Sequence, residues 1–355
     1  MIDIEFYKNK RVLITGHTGF KGSWLCRILA KAGAKVVGYS LKPVVEQNLF
    51  DIAQINDVST SVFADIRDFS KLNKVFDEFQ PEIVFHLAAQ PIVRESYDNP
   101  VYTFDTNVMG TVHILECVRL QPCVKSFLNV TTDKVYNNKE WDWGYRENDE
   151  LDGYDPYSNS KSCSELVTHS YQKSFFTDGR TAISTARAGN VIGGGDFAPN
   201  RIIPDCIRAA NENKKIIVRN PYSIRPYQHV IEPLMAYLQI VEKQYMDHEY
   251  QGSYNVGPDE RDCIKTGELV DLFCSAWGGN QQWDNQYDGG PHEAGFLKLD
   301  CSKIKNKIGW KPRWSIEEAI NMVVQWSKVY YSKGNIISCM DQQIDNYFNK
   351  ENTHV

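Results

Sequence analysis

The amino-acid sequence predicts an α/β chain built on a Rossmann-type, doubly wound parallel sheet with a smaller, discontinuous C-terminal lobe for a substrate. Three observations carry this. Short β-branched runs alternate with longer amphipathic stretches in the first half, a glycine-rich turn separates the first run from the first helix, and the alternation loosens after about Arg187.

In chain order, RVLIT is a strand, SWLCRILAKAG a helix, KVVGYSL a strand, KLNKVFDEFQ a helix, EIVFHLAA a strand, TVHILECVRL a helix and KSFLNVTT a strand. The strands are apolar enough to be covered on both faces, as a parallel sheet requires. RAGNVIGGGDFAPN is then rich in glycine and turn residues. HVIEPLMAYLQIVEKQ is helical again, and GSYNVG reads as a strand returning to the first sheet. The expected division is therefore 1–186 plus about 229–257 for the dinucleotide-binding domain, and about 187–228 plus 258–355 for the substrate domain. The polar tail after about Cys339 is expected to be loosely attached.

With 42% hydrophobic and 24% charged residues among 355, the chain has the composition of a globular protein with a core. A formal net charge of -6 argues against nucleic acid as a partner. The nine cysteines are scattered without a CxxC pair, so free thiols in a reducing compartment are expected, with no disulfide frame and no metal site. The N-terminal stretch MIDIEFYKNKRVLIT carries charges where a secretory apolar run would lie, and no run reaches membrane-spanning length. A cytoplasmic location and no membrane partner are the expectation.

In RVLITGHTGFKGSWL, Gly16, Gly19 and Gly22 fall directly between a strand and a helix, with Phe20 among them. Such a turn brings backbone N–H groups to a pyrophosphate at the positive helix end. The acidic residue that usually follows about 20 residues on is replaced by Ser40, with Lys42 close behind, which leaves NAD and NADP both open. Lys42 reads better as a surface charge. Asp65 and Ile66 follow another strand, and Ala88 and Ala89 leave room beside a cofactor. The GxxGxxG spacing resembles the extended branch of the short-chain dehydrogenase/reductase superfamily. That resemblance implies an adenine contact for Asp65, against the alternative of a helix N-cap.

DPYSNSK places Tyr157 and Lys161 four apart on one helix face. A phenol, with its reference pKa near ~10, needs a nearby cation to act as a base. At the end of the strand SFLNV, Thr131, Thr132, Asp133 and Lys134 face the ligand crevice of a doubly wound sheet. An acid and a base there suit a hexose oxidised at C4, whose new ketone acidifies the C5 proton. Loss of that proton with the C6 hydroxyl expels water, and hydride return to C6 yields a 4-keto-6-deoxy sugar.

The stretches TTDKVYNNKEWDWGYRENDELDGYDPYSNSK, GNVIGGGDFAPNRIIPD, RPYQHVIEPL and HEAGFLKLDCSK resemble the CDP-glucose 4,6-dehydratase family over nearly the whole chain. The resemblance implies tightly bound NAD and a nucleotide-sugar substrate. It implies Thr132 as hydrogen-bonding partner of the C4 oxygen, Asp133 as acid, Lys134 near C5, Tyr157 as base and Lys161 as its electrostatic support. It places Asn190, Arg201 and Arg225 on the substrate's diphosphate arm. His229 is expected to be a packed, hydrogen-bonded histidine, and His292 is open between packing and ligand contact. The helices around Asn107 to Leu120 and Tyr157 to Tyr171 are expected to pair in a homodimer or larger homo-oligomer. A sugar-nucleotide 4-epimerase would share the glycine turn, Tyr157 and Lys161 but has no use for an Asp-Lys pair. A nonenzymatic dinucleotide sensor would be expected to lose Tyr157 and Lys161.

Overall fold

The computed structural model describes residues 3–287 and 295–350. Its strands are β1 (Arg11–Thr15), β2 (Lys35–Ser40), β3 (Thr60–Phe63), β4 (Ile83–His86), β5 (Ser126–Thr132), β6 (Ala182–Ala188), β7 (Asn190–Ile192), β8 (Ile216–Val218), β9 (Ile224–His229), β10 (Gly252–Val256), β11 (Cys263–Lys265) and β12 (Trp283–Asn285). Seven form one sheet in the order β10-β6-β5-β4-β1-β2-β3, every pairing parallel. The chain runs outward from β1 to β3 and then crosses back to β4 on the other side of β1. This reversal opens a crevice between the carboxyl ends of β1 and β4.

Both faces of the sheet are buried, which explains the continuous apolar runs. Val12, Ile14, Ile83, Phe85, Leu128 and Val130 point to one face, where they meet Trp24, Leu25 and Ile28 of the helix Phe20–Lys31 and Leu234, Leu238 and Val241 of the helix Ile231–Met246. Their neighbours Leu13, Val84 and Phe127 point to the other, against Leu72 and Phe76 of the helix Phe69–Phe79 and Ile114 and Val118 of the helix Gly110–Leu120. The alternation is the two-residue period of a strand, with both phases apolar.

The expected return strand GSYNVG is β10, and it pairs with β6 at the sheet's edge. Beyond the large sheet, β11, β9 and β7 form a three-stranded sheet, and β12 pairs with β8. A separate core of Ile203, Cys206, Val218, Leu269, Phe273 and Ile320 underlies them.

The expectation of a loose tail after Cys339 is corrected. Residues Ile336–Asn349 form a helix capped by Asn335, whose side chain accepts from Ser338 N. Ile336, Met340, Ile344 and Tyr347 are all buried, and this i, i+4, i+8, i+11 stripe is the helical periodicity that a polar average composition conceals. The Tyr347 hydroxyl donates to Glu232 at 2.9 Å, and Arg27 Nε donates to Asp341 at 2.8 Å, so the helix is tied to the helices Ile231–Met246 and Phe20–Lys31 that cover the large sheet.

All nine cysteines are unpaired. Among the described residues no helix is long and apolar enough to cross a membrane, and no group of three or more His, Cys, Asp or Glu could hold a metal.

Candidate active site

A cleft of about 1220 Å³ opens at the carboxyl ends of the large sheet and continues to the smaller sheets. The glycine turn forms one wall. Gly16 has φ +75°, and a Cβ there would lie 2.8 Å from Ala88 N; at Gly22 it would lie 2.2 Å from Gly16 O. Only glycine lets the turn close this tightly. Gly19 is the N-cap of the helix Phe20–Lys31 and offers no side-chain cap, so the helix's first N–H groups face the cleft. These features fit a dinucleotide pyrophosphate.

Ser40 ends β2 and shares a 2.8 Å hydrogen bond with Thr18 Oγ1. Lys42 is exposed, with its Nζ 5.4 Å from the centre of the Phe63 ring. Asp65 is not a helix cap. Asp68 caps the helix Phe69–Phe79, while Asp65 accepts from Arg67 N at 2.9 Å and from Arg67 Nη2 at 2.7 Å. The reason lies in spacing: the helix starts at Phe69, too far along for Asp65 to reach its first amides. Ion pairing with Arg67 holds the Asp65 carboxyl below its ordinary value.

The reactive groups converge where β5 ends. Thr132 caps a single 3-10 turn, Asp133–Val135, which swings Asp133 and Lys134 into the cleft. The Thr132 hydroxyl donates to Asp133 Oδ1 at 3.0 Å, and Asp133 Oδ2 is buried with no hydrogen-bond partner. A Cβ at Gly189 would sit 3.2 Å from that oxygen and 2.6 Å from the Pro226 ring, so glycine leaves the carboxylate its space. Burial raises the Asp133 pKa, opposed by the charge of Lys134, the Thr132 hydrogen bond, Arg225 and Lys21. Protonated Asp133 is therefore favoured relative to a carboxyl in water.

Tyr157 and Lys161 lie on the helix Pro156–Phe175, which begins with the Asp155 cap and Pro156 at its first position. Burial pushes the Tyr157 phenol up to about 12, with the Thr132 hydroxyl and Arg201 opposing. Burial draws Lys161 down to about 8, opposed by Glu165. The Lys161 ammonium donates to Val130 O at 3.0 Å.

The far end of the cleft carries cations. Arg225, on β9, is buried, and Arg201 pairs with Asp196 at 3.0 Å. Asn190 lies on β7. The cleft lining contains eight Lys or Arg and six Asp or Glu, a local excess of positive charge on a chain of net charge -6. This suits an anionic ligand.

Every site residue expected from the sequence lines this one cleft: Gly16, Gly19, Phe20, Gly22, Ser40, Asp65, Ile66, Ala88, Ala89, Thr132, Asp133, Lys134, Tyr157, Lys161, Asn190, Arg201 and Arg225. His229 does not. It is fully buried against Trp24 and Trp314 and accepts a 3.3 Å hydrogen bond from Ile231 N, as a packed histidine does. His292 lies outside the described residues.

Sequence reasoning overlooked Lys21, Arg94 and Arg219, which also line the cleft. Lys21 is drawn down to about 8 by burial and by Arg201 and Lys161, with Asp133 and Asp196 opposing. Its signal was legible: a lysine at the second position of a helix opposes the helix dipole, a placement that calls for a reason.

The chain matches the family model described as GDP-mannose 4,6 dehydratase over residues 13–323. It is 46% identical to a CDP-glucose 4,6-dehydratase of Salmonella typhimurium over 98% of both chains. It is 27% identical to a dTDP-glucose 4,6-dehydratase of Shigella flexneri, covering 89% of this chain and 92% of the relative. Among solved structures it resembles a dTDP-glucose 4,6-dehydratase from Bacillus anthracis in complex with NAD, with TM-score 0.78 and 23% identity over 92% of this chain and 99% of that one. A UDP-glucose 4-epimerase from Thermotoga maritima, with UDP-glucose, aligns equally well, with TM-score 0.79 and 21% identity over 91% and 98%. The fold alone therefore does not separate the two kinds of enzyme.

Proposed function

We propose that this chain, which belongs to the GDP-mannose 4,6 dehydratase family, is a lyase that converts CDP-D-glucose to CDP-4-keto-6-deoxy-D-glucose and water. The carrying observation is the Asp133-Lys134 pair, delivered by the end of β5 into the same cleft as Tyr157 and Lys161. An epimerase needs only the second pair. The 46% relative supports the same choice, and with it the cytidine nucleotide.

A bound NAD would supply the hydride acceptor for C4 and the hydride donor for C6, which leaves the reaction redox-neutral. Gly16, Gly19, Phe20, Gly22, Ser40, Asp65, Ile66, Ala88 and Ala89 would hold it. The choice of NAD over NADP is supported by the NAD complex of the Bacillus anthracis structure. Thr132 hydrogen-bonds O4, and Tyr157 takes the O4 proton as its phenolate, a form that burial opposes and that the cations of Lys161 and the oxidised nicotinamide would have to favour. Lys161, mostly ammonium at neutral pH with its pKa near 8, offsets the charge of the phenolate.

Asp133 gives its proton to the departing C6 hydroxyl, a role that its raised pKa favours. With the pair's proton on Asp133, Lys134 as the neutral amine takes the C5 proton directly or through water, and a proton is later restored to C5. Asn190, Arg201 and Arg225 hold the diphosphate arm. The proposed lobes, 1–186 with about 229–257 and about 187–228 with 258–355, close on this cleft, although the helix Ile336–Asn349 packs on the first of them.

Two coarser features belong to the same reading. Nine unpaired cysteines support a reducing, cytoplasmic setting. A homodimer or larger homo-oligomer through the helices around Asn107 to Leu120 and Tyr157 to Tyr171 is supported by the exposure of Met109 (43%), Leu120 (46%) and Leu166 (55%).

The test is incubation with several nucleotide-glucoses, product identification by NMR and absorbance at 340 nm. Turnover of CDP-glucose without net nicotinamide reduction, with a C4 deuterium recovered at the new methyl group, is expected. Steady accumulation of reduced nicotinamide would instead identify a simple dehydrogenase.

A further inference from the structure

The proposed chemistry is divided between two elements. Tyr157 and Lys161 ride on the helix Pro156–Phe175, whereas Thr132, Asp133 and Lys134 end β5. Both sets must meet one sugar ring, so their mutual register matters at the scale of about half an ångström.

Several polar contacts join these elements, among them Asn129 Nδ2 to Ser164 and Thr168 and Ser162 Oγ to Val135 O. Two more, one helical turn apart, flank the reactive groups. Lys161 Nζ donates to Val130 O at 3.0 Å, and the hydroxyl of the next strand residue, Thr131, donates to Glu165 Oε1 at 2.5 Å. Glu165 is fully buried. Arg187, on the neighbouring strand β6, donates to it twice at 3.0 Å, and Thr185 Oγ1 donates at 2.7 Å. Arg187 also reaches Tyr136 Oη at 2.8 Å and Glu147 O at 3.0 Å, and Tyr136 donates to Asn255 Oδ1 at 2.7 Å. The network therefore grips the chain both just before Thr132 and just after Lys134.

A buried ion pair is weak evidence for stability, because desolvation offsets most of the attraction. Its location is more informative. Thr131 borders the cleft, yet its hydroxyl is engaged with Glu165. We propose that Thr131 and Glu165, backed by Arg187, are positioning residues that hold Asp133 and Lys134 in register with Tyr157 and Lys161. This rests on the proposed dehydratase reading. Loosening the Thr131 contact releases one tie immediately before Thr132, while the pairing with β6 and the Ser162 bond to Val135 O remain and the helix keeps its packing and the Lys161 contact. Elimination should suffer more than C4 oxidation.

Thr131→Val removes the hydroxyl, keeps the β-branched shape and leaves the Glu165-Arg187 pair intact. Thr131→Ser keeps the hydroxyl. The enzyme with its bound nucleotide is mixed with CDP-glucose in a stopped-flow instrument, and absorbance at 340 nm is followed alongside product formation. In Thr131→Val, product formation should fall about tenfold or more. The first hydride transfer should stay within about twofold of the unaltered enzyme, so reduced nicotinamide accumulates during turnover. Thr131→Ser should behave as the unaltered enzyme does.

Equal slowing of both steps with no accumulation, or no change at all, would overturn the proposal. Should Thr131→Val fail to fold, Thr131→Ala, which also removes the hydroxyl and leaves the Glu165-Arg187 pair intact, is read by the same two traces and judged by the same outcomes. Failure of the unaltered protein to turn over any nucleotide-glucose would instead refute the reading on which this one rests.

Discussion

Lys161 gives a prediction in which function and stability oppose each other. Its side chain is 3% exposed, and burial lowers its pKa from 10.5 to about 8. That displacement corresponds to about 3 kcal/mol of unfavourable free energy for keeping the ammonium in the folded protein. Lys161→Met relieves it but leaves Val130 O without its 3.0 Å donor, which costs about 1 kcal/mol. Glu165 keeps its bidentate partner Arg187, so no second charge is stranded.

The expected net gain at pH 7 is about 2 kcal/mol, or about 3 °C in melting temperature for a chain of this length. The sign follows from linkage. The folded pKa lies below the unfolded one, so the penalty is full below about 8, shrinks as pH rises and vanishes above 10.5. The advantage of Lys161→Met should therefore shrink between pH 7 and pH 9.5. The assay is thermal unfolding at both pH values, after removal of bound nucleotide, beside an activity measurement that should show near-complete loss. A variant less stable than the unaltered protein at pH 7 would refute the reasoning.

Asp133→Asn should retain nucleotide and the first hydride transfer while product formation falls by roughly 10²–10⁴; a stopped-flow record with no rise at 340 nm would contradict this. Gly22→Ala forces a Cβ to 2.2 Å from Gly16 O and 2.6 Å from His17 Cα, so the turn must open. Its expected cost is about 1–3 kcal/mol, with bound nucleotide lost as judged by the 260/280 nm absorbance ratio. Arg187→Met strands Glu165 at full burial and should cost about 3–5 kcal/mol in denaturant unfolding. Replacing both members of the pair with apolar residues should recover most of that.

What the sequence disclosed and what it hid follow one physical division. The glycine turn was legible because its constraint is local: Gly16 needs a left-handed backbone, and Gly22 lies within 2.2 Å of its own turn once a Cβ is added. Tyr157 and Lys161 were legible because helical spacing places them on one face without knowledge of any other element. Polar composition conceals the C-terminal helix, whose signal lies in the periodicity of Ile336, Met340, Ile344 and Tyr347. The sequence leaves Asp65 open between two readings because its partner, Arg67, competes for the carboxylate through a pairing that spacing does not announce.

The network behind the site shows the limit most clearly. Glu165 follows Lys161 by one helical turn, and Arg187 stands within AISTARA, a strand in which every residue is buried. A charged side chain in such a strand demands a buried counter-charge, so the sequence implied that Arg187 had a partner. It could not indicate which one. The partner is chosen by the parallel pairing of β5 with β6, which sets Thr131 opposite Arg187 and brings both beneath the same helical turn. Helix and strand ends that share one sheet edge thereby share one carboxylate. The dehydratase and epimerase folds align equally well, so any difference in chemistry must come from how such strand ends are held and what they carry. Here the end of β5 carries an acid and an amine, and a buried ion pair fixes where they stand.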